Sequence, residues 1–347
     1  MTPVPDLVSG QHTAQDTLIR TRELLDPALR SWTERLPAPV SRVAAYHFGW
    51  VDSAGRPENA PQGKALRPAL VLTCAEAVGG TAASALPPAV AVELVHNFSL
   101  LHDDILDGDT TRRHRATAWT VFGSSAALLA GDALLIHAGR VLCEGPPQPH
   151  TVTGIRWLSE ATTRLIEGEQ TDIGFEERSH VSLAECLAMT EQKTAALLAV
   201  SCALGALWGG GSLEQADLLH RFGTHLGMAF QLTDDLLGIW GDPAVTGKPA
   251  GADLISRKKS LPVVAALDSD TPAGKRLAAL YSDPEAESTE VAELTRLVED
   301  AGGRAWAERT AREELARALA ALRSARPAPE AAARLTALAE LACHRDR

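Results

Sequence analysis

Aromatic residues make up only 4% of the 347 residues, and regular alternation of apolar and polar residues is nearly absent. Because strands are built mainly from β-branched and aromatic residues, while alanine and leucine favour helices, this composition excludes a largely β fold. Apolar residues instead recur at intervals of three and four, as in Leu94, Val95, Phe98, Leu101 and Ile105. This is the period of an amphipathic helix. The sequence therefore predicts an all-α protein.

The chain also lacks paired cysteines, an excess of basic charge and a long apolar run. Its five cysteines are scattered with no Cys-x-x-Cys pair, which is typical of reduced thiols in the cytoplasm. It carries 33 basic against 44 acidic residues, a net charge of −11, and nucleic-acid binding needs a basic surface. The most membrane-like stretch, residues 195–211, falls short of the ~20 apolar residues of a spanning helix. We therefore expect a cytoplasmic protein with no nucleic-acid partner and no membrane span.

No long flexible linker divides the sequence. Short stretches rich in glycine and proline separate segments of helical length. This pattern predicts one helical domain over residues 1–347, with ten or so helices and a loose stretch over residues 1–15. Residues 304–342 are rich in Ala, Glu, Arg and Leu and are interrupted once, between Pro327 and Pro329. They predict two closing helices.

Acidic residues are concentrated at the end of an apolar helical run. Asp103 and Asp107 are four residues apart, so they project from the same helix face, and Asp104 lies beside them. Three arginines come shortly afterwards, at Arg112, Arg113 and Arg115. One interpretation is a solvated helix end with surplus acid. The other, which the apolar run and the arginines favour, is a divalent cation that holds a phosphate group.

A second pair of acids, Asp234 and Asp235, also ends an apolar helical run, about 130 residues further on. A basic stretch follows this pair, with Lys248 and then the run 257–259. Two such units are expected to face one cavity. Their carboxylate oxygens suit Mg²⁺, which binds through a few carboxylates together with substrate phosphates.

Seven short motifs occur in an order that resembles the trans-isoprenyl diphosphate synthases of the polyprenyl synthetase family. They are Gly63-Lys64-Ala-Leu-Arg67-Pro68, Asp103-Asp-Ile-Leu-Asp107 with Arg112-Arg113, Gly131-Asp132, Gly168-Glu-Gln-Thr-Asp172, Lys193-Thr194, Phe230-Gln231 with Asp234-Asp235, and Gly247-Lys248-Pro249. The resemblance covers about residues 63–262. It is greatest to the short-chain geranylgeranyl diphosphate synthases.

This resemblance implies an all-α fold around a deep central cavity, in a homodimer. It implies a prenyltransferase of isoprenoid biosynthesis that condenses isopentenyl diphosphate with an allylic diphosphate. The cofactor implied is Mg²⁺, with three ions when substrate is bound, and Mn²⁺ as a substitute.

The resemblance also implies roles for individual residues. The residues implied to bind the metal are Asp103, Asp107 and Asp234, with Asp104 and Asp235 in support. Those implied to hold the allylic diphosphate are Arg112, Lys193, Thr194, Gln231, Lys248 and Lys258. Those implied to hold isopentenyl diphosphate are Lys64, Arg67, His96 and Arg113. Asp132 and Asp172 are interpreted as buried hydrogen-bonding groups, and His102, His137 and His225 as structural.

The sequence departs from the family pattern at three places. Gly238 stands where many members have the third aspartate of the second motif, which lowers the number of carboxylates expected there. Ala65 stands where a basic residue is common. His114 and Ala116 stand where glycine and proline often follow the arginine pair.

Two other functions are compatible with parts of this pattern. A class I terpene cyclase ionises a similar diphosphate, but it usually pairs one aspartate-rich motif with an Asn/Ser/Glu triad. A non-catalytic subunit of a heteromeric synthase tends to lose the first aspartates or the arginine pair. Here both aspartate motifs, Lys64 and Arg67 are present, which favours the synthase.

The residues before Asp103 give an expectation about product length. Each helical turn advances about 5.4 Å, on the order of one isoprene unit. Ser99 lies four residues before Asp103 and Phe98 lies five before it. A small residue followed by an aromatic one resembles the geranylgeranyl diphosphate synthases and predicts a C20 product, with C15 as the alternative.

Overall fold

The computed structural model describes residues 6–146, 148–242, 250–282 and 290–343, and these are mainly helical. The α-helices are α1 Asp6–Glu34, α2 Ala38–His47, α3 Leu66–Ala77, α4 Leu86–Leu106, α5 Ala118–Phe122, α6 Ser124–Glu144, α7 Thr151–Glu176, α8 Leu183–Thr190, α9 Ala196–Trp208, α10 Leu213–Trp240, α11 Ala252–Ile255, α12 Leu261–Leu267, α13 Pro272–Ser282, α14 Val291–Asp300, α15 Gly303–Ser324 and α16 Pro329–Cys343. A π-helix, Glu191–Ala195, joins α8 to α9. The prediction of an all-α fold is confirmed.

The helices at the C-terminal end of the described chain agree with the sequence-based expectation, whereas the N-terminal end differs from it. Helices α15 and α16 are separated at the predicted prolines, so the two closing helices are confirmed. At the other end, α1 begins at Asp6, within the stretch 1–15 that was expected to be loose. The helix forms there because its apolar face is already buried at Ala14 and continues inward at Leu25 and Leu29.

The described chain packs as two compact units, and the single domain over residues 1–347 stays a prediction. The first unit comprises the residues up to Ser159 together with Val200–His220 and Ala325–Leu338. The second comprises Glu160–Ala199, Arg221–Ser324 and the residues from Ala339 on. Because stretches distant in sequence assemble each unit, no linker marks the division in the sequence.

Helix α4 forms the centre of the first unit and packs against α3 and α6. Its second and third residues are Pro87 and Pro88, which are tolerated there because the first N–H groups of a helix have no partner within it. Its apolar side chains are nearly fully buried, with Leu94 0% and Leu101 1% exposed. Each such burial contributes roughly 1.5–3 kcal/mol to folding. This burial fixes the helix that carries the first acidic motif.

The second unit has two apolar clusters. One gathers Ile239, Leu254 and Val263 with residues of α13 and α14. The other joins Phe175, Cys186 and Leu232 with residues of α12 and α15. Helix α8, which precedes the π-helix, starts with a reciprocal cap: the Glu185 N–H donates to Ser182 Oγ, and the Ser182 N–H donates to the Glu185 carboxylate.

Helix α6 is long and apolar enough to cross a membrane by length and composition, a test that core helices also pass. The sequence had instead singled out residues 195–211 as the most membrane-like stretch. One face of α6 is buried, at Ala127 and Leu134, against α4 and its neighbours. Its other face exposes Leu128, Leu129 and Ile136, at 46%, 58% and 65%.

Candidate active site

Helix α4 ends within the first acidic motif. Asp103 lies in its last turn and is partly buried, while Asp107 is the C-cap and is exposed. The Asp107 N–H donates to the Asp103 carbonyl over 2.8 Å, which closes the final turn. The two carboxylates therefore belong to successive turns of one helix end, as their spacing predicts.

Asp104 differs from its neighbours because it is buried. Its side chain is 2% exposed and its Oδ1 accepts a hydrogen bond from Arg112 Nε over 2.6 Å. Burial raises the pKa of the Asp104 carboxyl, and the charge of Arg112 opposes this rise. Asp104 thus holds Arg112 in position, while the more accessible Asp103 and Asp107 remain the candidate metal ligands.

A two-residue hairpin carries the arginine pair. Strands β1 (Thr111–Arg112) and β2 (Arg115–Ala116) are antiparallel, with Arg112 opposite Arg115. The connecting residues, Arg113 and His114, both have positive φ, at 53° and 62°, as primed hairpin turns require. His114 stands where the family often has glycine, so this turn places a non-glycine residue in the left-handed region.

The hairpin brings Arg113 to the loop that carries Lys64. A Cβ placed on Gly63 would lie 2.6 Å from Arg113 Nη2, so the guanidinium lies directly on this glycine. From α1, Arg22 donates hydrogen bonds to the Gly63 carbonyl and, over 2.8 Å, to Gln62 Oε1. Lys64 itself is exposed, and the next residue, Ala65, is 5% exposed with φ of 54°. A small side chain suits that buried position.

Arg67 and His96 are in contact across α3 and α4. Arg67 Nη1 lies 3.3 Å from His96 Nε2. Burial, together with the charges of Arg67 and Arg113, holds the pKa of His96 well below its usual range. The imidazole is therefore neutral near pH 7, with Nε2 accepting from the guanidinium and the proton on Nδ1. Within the first unit, Arg67, His96 and Arg113 thus lie around the start of α3.

The residues proposed for product length lie lower on α4. Phe98 is 5% exposed, and its ring meets the His102 ring edge-on at a centroid distance of 4.8 Å. Ser99 is 8% exposed, and its hydroxyl donates to the His96 carbonyl over 2.9 Å. The His102 ring in turn fills the space beside Gly131 of α6. His102 therefore has the structural role expected of it.

In the second unit, three predicted residues form one hydrogen-bond chain. Thr194 Oγ1 donates to Gln231 Oε1, and Gln231 Nε2 donates to Asp235 Oδ1, each over 2.7 Å. The Leu261 N–H donates to Asp235 Oδ2 over 2.8 Å. Burial raises the pKa of Asp235 to about 6, against the opposing effects of Lys258 and these hydrogen bonds. Asp235 thus links α10 to the start of α12. Asp234 beside it is more accessible.

Lys193 and Lys258 lie among carboxylates of the same unit. Lys193 Nζ is 2.6 Å from Asp172 Oδ2 and 2.7 Å from Glu169 Oε2. Desolvation opposes the charged form of Lys258, but the carboxylates of Asp235, Asp172 and Asp253 outweigh it and raise the pKa of the amine. Both lysines are therefore cationic at neutral pH. Lys248 lies outside the described residues.

A carboxylate also lies next to Gly238, the glycine at the third position of the second motif. A Cβ added at Gly238 would be 2.4 Å from Asp253 Oδ2 and 2.6 Å from its Cγ. Real Cβ atoms do not approach other atoms this closely. The carboxylate from α11 therefore occupies the space that a side chain at position 238 would need.

We expect Gly238→Asp, which restores the common family motif, to impair the protein. The new side chain would collide with Asp253 and add a second negative charge, so the free energy of unfolding should fall by about 1–3 kcal/mol. Chemical denaturation and steady-state assays would measure both effects. Gly174→Asp is the matched control, since a Cβ there meets nothing within 4 Å. Adding Asp253→Ala should relieve the collision; a more active Gly238→Asp single variant would contradict this account.

Within the described residues, no group of three or more His, Cys, Asp or Glu side chains is arranged to hold a metal ion. The donor set at the end of α4 still fits a hard cation, because Asp103 and Asp107 supply two carboxylates on successive turns. Mg²⁺ usually binds proteins through one or two carboxylates and completes its shell with water and substrate phosphate. These residues therefore suit a metal ion that binds together with a substrate diphosphate.

Three contacts in the site were not foreseen from the sequence: those of Arg22, Glu169 and Asp253. Glu169 lies inside a motif that had been recognised, but only Asp172 of that motif had been interpreted. Asp253 lies after the second acidic motif in the sequence, where nothing indicates its approach to Gly238. Arg22 carries no sequence signal, since a single arginine on a long amphipathic helix is usually a surface residue.

The chain is similar to enzymes that make farnesyl and geranylgeranyl diphosphate. It is 48% identical over 317 residues to a (2E,6E)-farnesyl diphosphate synthase of Mycobacterium bovis, covering 90% of this chain and 88% of that protein. It is 44% identical over 330 residues to a geranylgeranyl diphosphate synthase of Mycobacterium tuberculosis, covering 95% and 93%. The crystal structure of a polyprenyl synthetase from Streptomyces coelicolor superposes with a TM-score of 0.90 at 45% identity, covering 95% and 99%.

The sequence model of the polyprenyl synthetase family matches residues 50–298. This range includes both acidic motifs, the Lys64 loop and Lys193. The all-α fold and the full-length similarity to prenyl diphosphate synthases agree with it. The chain is therefore a member of the polyprenyl synthetase family and a prenyltransferase.

Proposed function

We propose that this prenyltransferase is a geranylgeranyl diphosphate synthase, which adds isopentenyl diphosphate to an allylic diphosphate until the chain reaches C20. The family uses these two substrates, and the similar relatives make short-chain prenyl diphosphates. The observation that carries the C20 length is the pair Ser99 and Phe98, both buried on α4 below Asp103. A small side chain one turn below the acidic motif leaves room for a longer product, and the aromatic ring next to it limits further growth.

Farnesyl diphosphate, C15, is the second candidate, because relatives that make it are 48% identical to this chain. Incubation of the purified protein with isopentenyl diphosphate and C5, C10 or C15 allylic primers separates the two. After phosphatase treatment, chromatography should give a C20 alcohol from every primer. A C15 product from the short primers, with no turnover of the C15 primer, would overturn the C20 assignment in favour of C15.

For the metal, we propose Mg²⁺, with Asp103, Asp107 and Asp234 as its ligands. The family generally uses a divalent metal, and carboxylate oxygens are the ligands that Mg²⁺ prefers. When bound, the metal neutralises negative charge that develops on the departing pyrophosphate. Asp104 and Asp235 have a supporting role, since both are buried and bonded to neighbouring residues.

The protein's own cations would hold the two diphosphates. We assign Arg112, Lys193, Lys248 and Lys258, with Thr194 and Gln231, to the allylic diphosphate. Charge-assisted hydrogen bonds from such groups stabilise a leaving group as its charge grows. Lys64, Arg67 and Arg113 bind isopentenyl diphosphate in this proposal, and the neutral His96 orients Arg67. A proton lost at the end can go to pyrophosphate, so the reaction requires no protein base.

The two sets of cations should separate kinetically. We expect Arg67→Ala or Lys64→Ala to raise KM for isopentenyl diphosphate about tenfold or more, and Lys193→Ala or Lys248→Ala to do so for the allylic substrate. Each change removes a charged donor from one of the two diphosphates. Steady-state kinetics with one substrate saturating measures each KM. Lys275→Ala, which removes an exposed lysine of α13, is the control. Equal effects on both KM values would refute the assignment.

We also propose that the protein is a homodimer formed through the exposed apolar face of α6. Leu129 and Ile136 are seven residues apart and therefore share one stripe of the helix with Leu128 beside it. Apolar stripes of this kind mark association surfaces. Sedimentation should give a mass of twice 36.8 kDa for the native protein. Ile136→Glu should shift it toward the monomer. A native protein that sediments as a monomer would refute the proposal.

A further inference from the structure

Glu169 and Asp172 of α7 together hold the ammonium group of Lys193. The two carboxylates lie 2.7 and 2.6 Å from Nζ, within ion-pair and hydrogen-bond distance. An ammonium has three N–H donors and no acceptor. Asp172 accepts one of these donors, and Glu169 forms an ion pair with the same ammonium, so the two carboxylates together limit where the ammonium can lie.

The backbone at this place is packed closely enough to keep the arrangement. A Cβ at Gly168 would lie 2.4 Å from the backbone nitrogen of Lys193, so α7 and the π-helix touch through their main chains. A second link lies nearby, where Arg164 donates to Glu191 over 2.8 Å. Lys193 lies within the π-helix, a geometry that is often found at functional sites. The contacts between α7 and the π-helix therefore hold both Lys193 and the two carboxylates in place.

The charges around Lys193 keep its amine protonated. Two carboxylates face it, and the cationic Lys258 lies within electrostatic reach. Burial lowers the pKa of the Lys193 amine, but Asp172 and Glu169 more than offset this and raise the pKa above its usual value. A mostly buried lysine, 24% exposed, thus remains a cation.

We propose that Glu169 is a positioning residue for the allylic diphosphate site, acting through Lys193. It fixes the ammonium so that the remaining N–H is directed at a phosphate oxygen before substrate arrives. This inference rests on the proposed function, because it requires that Lys193 bind the allylic diphosphate. Preorganised donors avoid the cost of ordering a flexible side chain during binding.

Glu169 is a better subject for a test than Asp172. The Glu169 side chain is 10% exposed and that of Asp172 is 18% exposed, so Glu169 is the less accessible to substrate. Asp172 also acts electrostatically on Lys258, and its removal would disturb two lysines. A change at Glu169 therefore addresses Lys193 more specifically.

The test is a double-mutant cycle with Glu169→Gln and Lys193→Met. Glutamine keeps the shape and one acceptor but loses the charge, so Glu169→Gln should raise KM for the allylic substrate about fivefold to tenfold. The KM for isopentenyl diphosphate should change less than about twofold, since that site is assigned to other residues. In the Lys193→Met background, the same change should have no further effect. Glu299→Gln, which alters a carboxylate of α14 paired with Arg304, is the matched control.

A pH profile gives a second readout that a merely structural role would not move. The charged groups facing Lys193 are Glu169 and Asp172 from α7 and the cationic Lys258. Removing one carboxylate lowers the pKa of Lys193, so the alkaline fall in kcat/KM for the allylic substrate should begin at lower pH in Glu169→Gln. If Glu169→Gln does not fold, Glu169→Asp keeps the charge and should show a smaller rise in KM with an unshifted profile.

Each outcome decides the question. If Lys193→Met leaves the allylic KM unchanged, the assignment of Lys193 falls and this inference falls with it. If Lys193→Met raises that KM but Glu169→Gln does not, only the role of Glu169 is refuted. An effect of Glu169→Gln that persists in the Lys193→Met background also refutes it.

Discussion

Replacing Asp103 or Asp234 by asparagine should lower kcat by at least about a hundredfold while the fold is retained. Asparagine has the same shape but no negative charge, so it weakens the hold on a divalent cation without changing packing. Both aspartates are only partly buried, so the asparagine amide remains within reach of solvent and the packing around it is unchanged. Initial rates and thermal unfolding would measure the two quantities separately.

The matched control is Asp132→Asn. The prediction that Asp132 is buried is wrong, because its side chain lies on the outer face of α6 and is 56% exposed. This substitution should leave the rate nearly unchanged. Removing divalent ions from the native enzyme with a chelator should abolish turnover, and Mg²⁺ should restore it. An Asp103→Asn enzyme with near-native turnover would contradict the proposed metal ligands.

Ser99→Phe should shorten the product by one or more isoprene units. The serine is almost completely buried, so a benzyl group there fills space that the growing chain would enter. Phe98→Ala should have the opposite effect, because it removes a large side chain at the adjoining level. Chromatography of the dephosphorylated products would show both shifts as discrete changes in chain length.

Because Phe98 is a buried aromatic residue, its truncation to alanine also costs about 3–5 kcal/mol of stability. Phe98→Leu is the milder variant and should lengthen the product to a smaller extent. Ile105→Phe serves as the control, since it adds volume to α4 on the other side of Asp103. If Ser99→Phe and both Phe98 variants release the native product, α4 does not determine chain length.

Much of the helical architecture could be predicted because it depends on local periodicity. The stripe from Leu94 to Ile105 forms α4, and the prolines near residue 327 separate the last two helices. The different environments of Asp103 and Asp104 were also open to prediction. Adjacent residues on a helix point about 100° apart, so two successive aspartates cannot both face the same substrate.

Other features depend on contacts between residues distant in sequence. The β1–β2 hairpin has only two residues per strand, too few to show an alternating pattern. Arg115 holds it by donating to the backbone carbonyls of Tyr46 and Val51 and to Glu58. The approach of Glu169 to Lys193 likewise depends on the packing of Gly168. Such contacts leave no periodic signal in the sequence.

The backbone conformation of the hairpin turn limits which residues can replace Arg113 and His114. Arg113 and His114 share a left-handed backbone, a conformation that glycine adopts at no steric cost. Glycine can therefore replace His114 without steric cost. At position 113, glycine would remove the guanidinium that packs against Gly63. Gly63, in turn, can gain a side chain only if the Arg113 guanidinium moves away from it. A change at position 63 would therefore disturb Arg113, whereas glycine at position 114 would leave both residues in place.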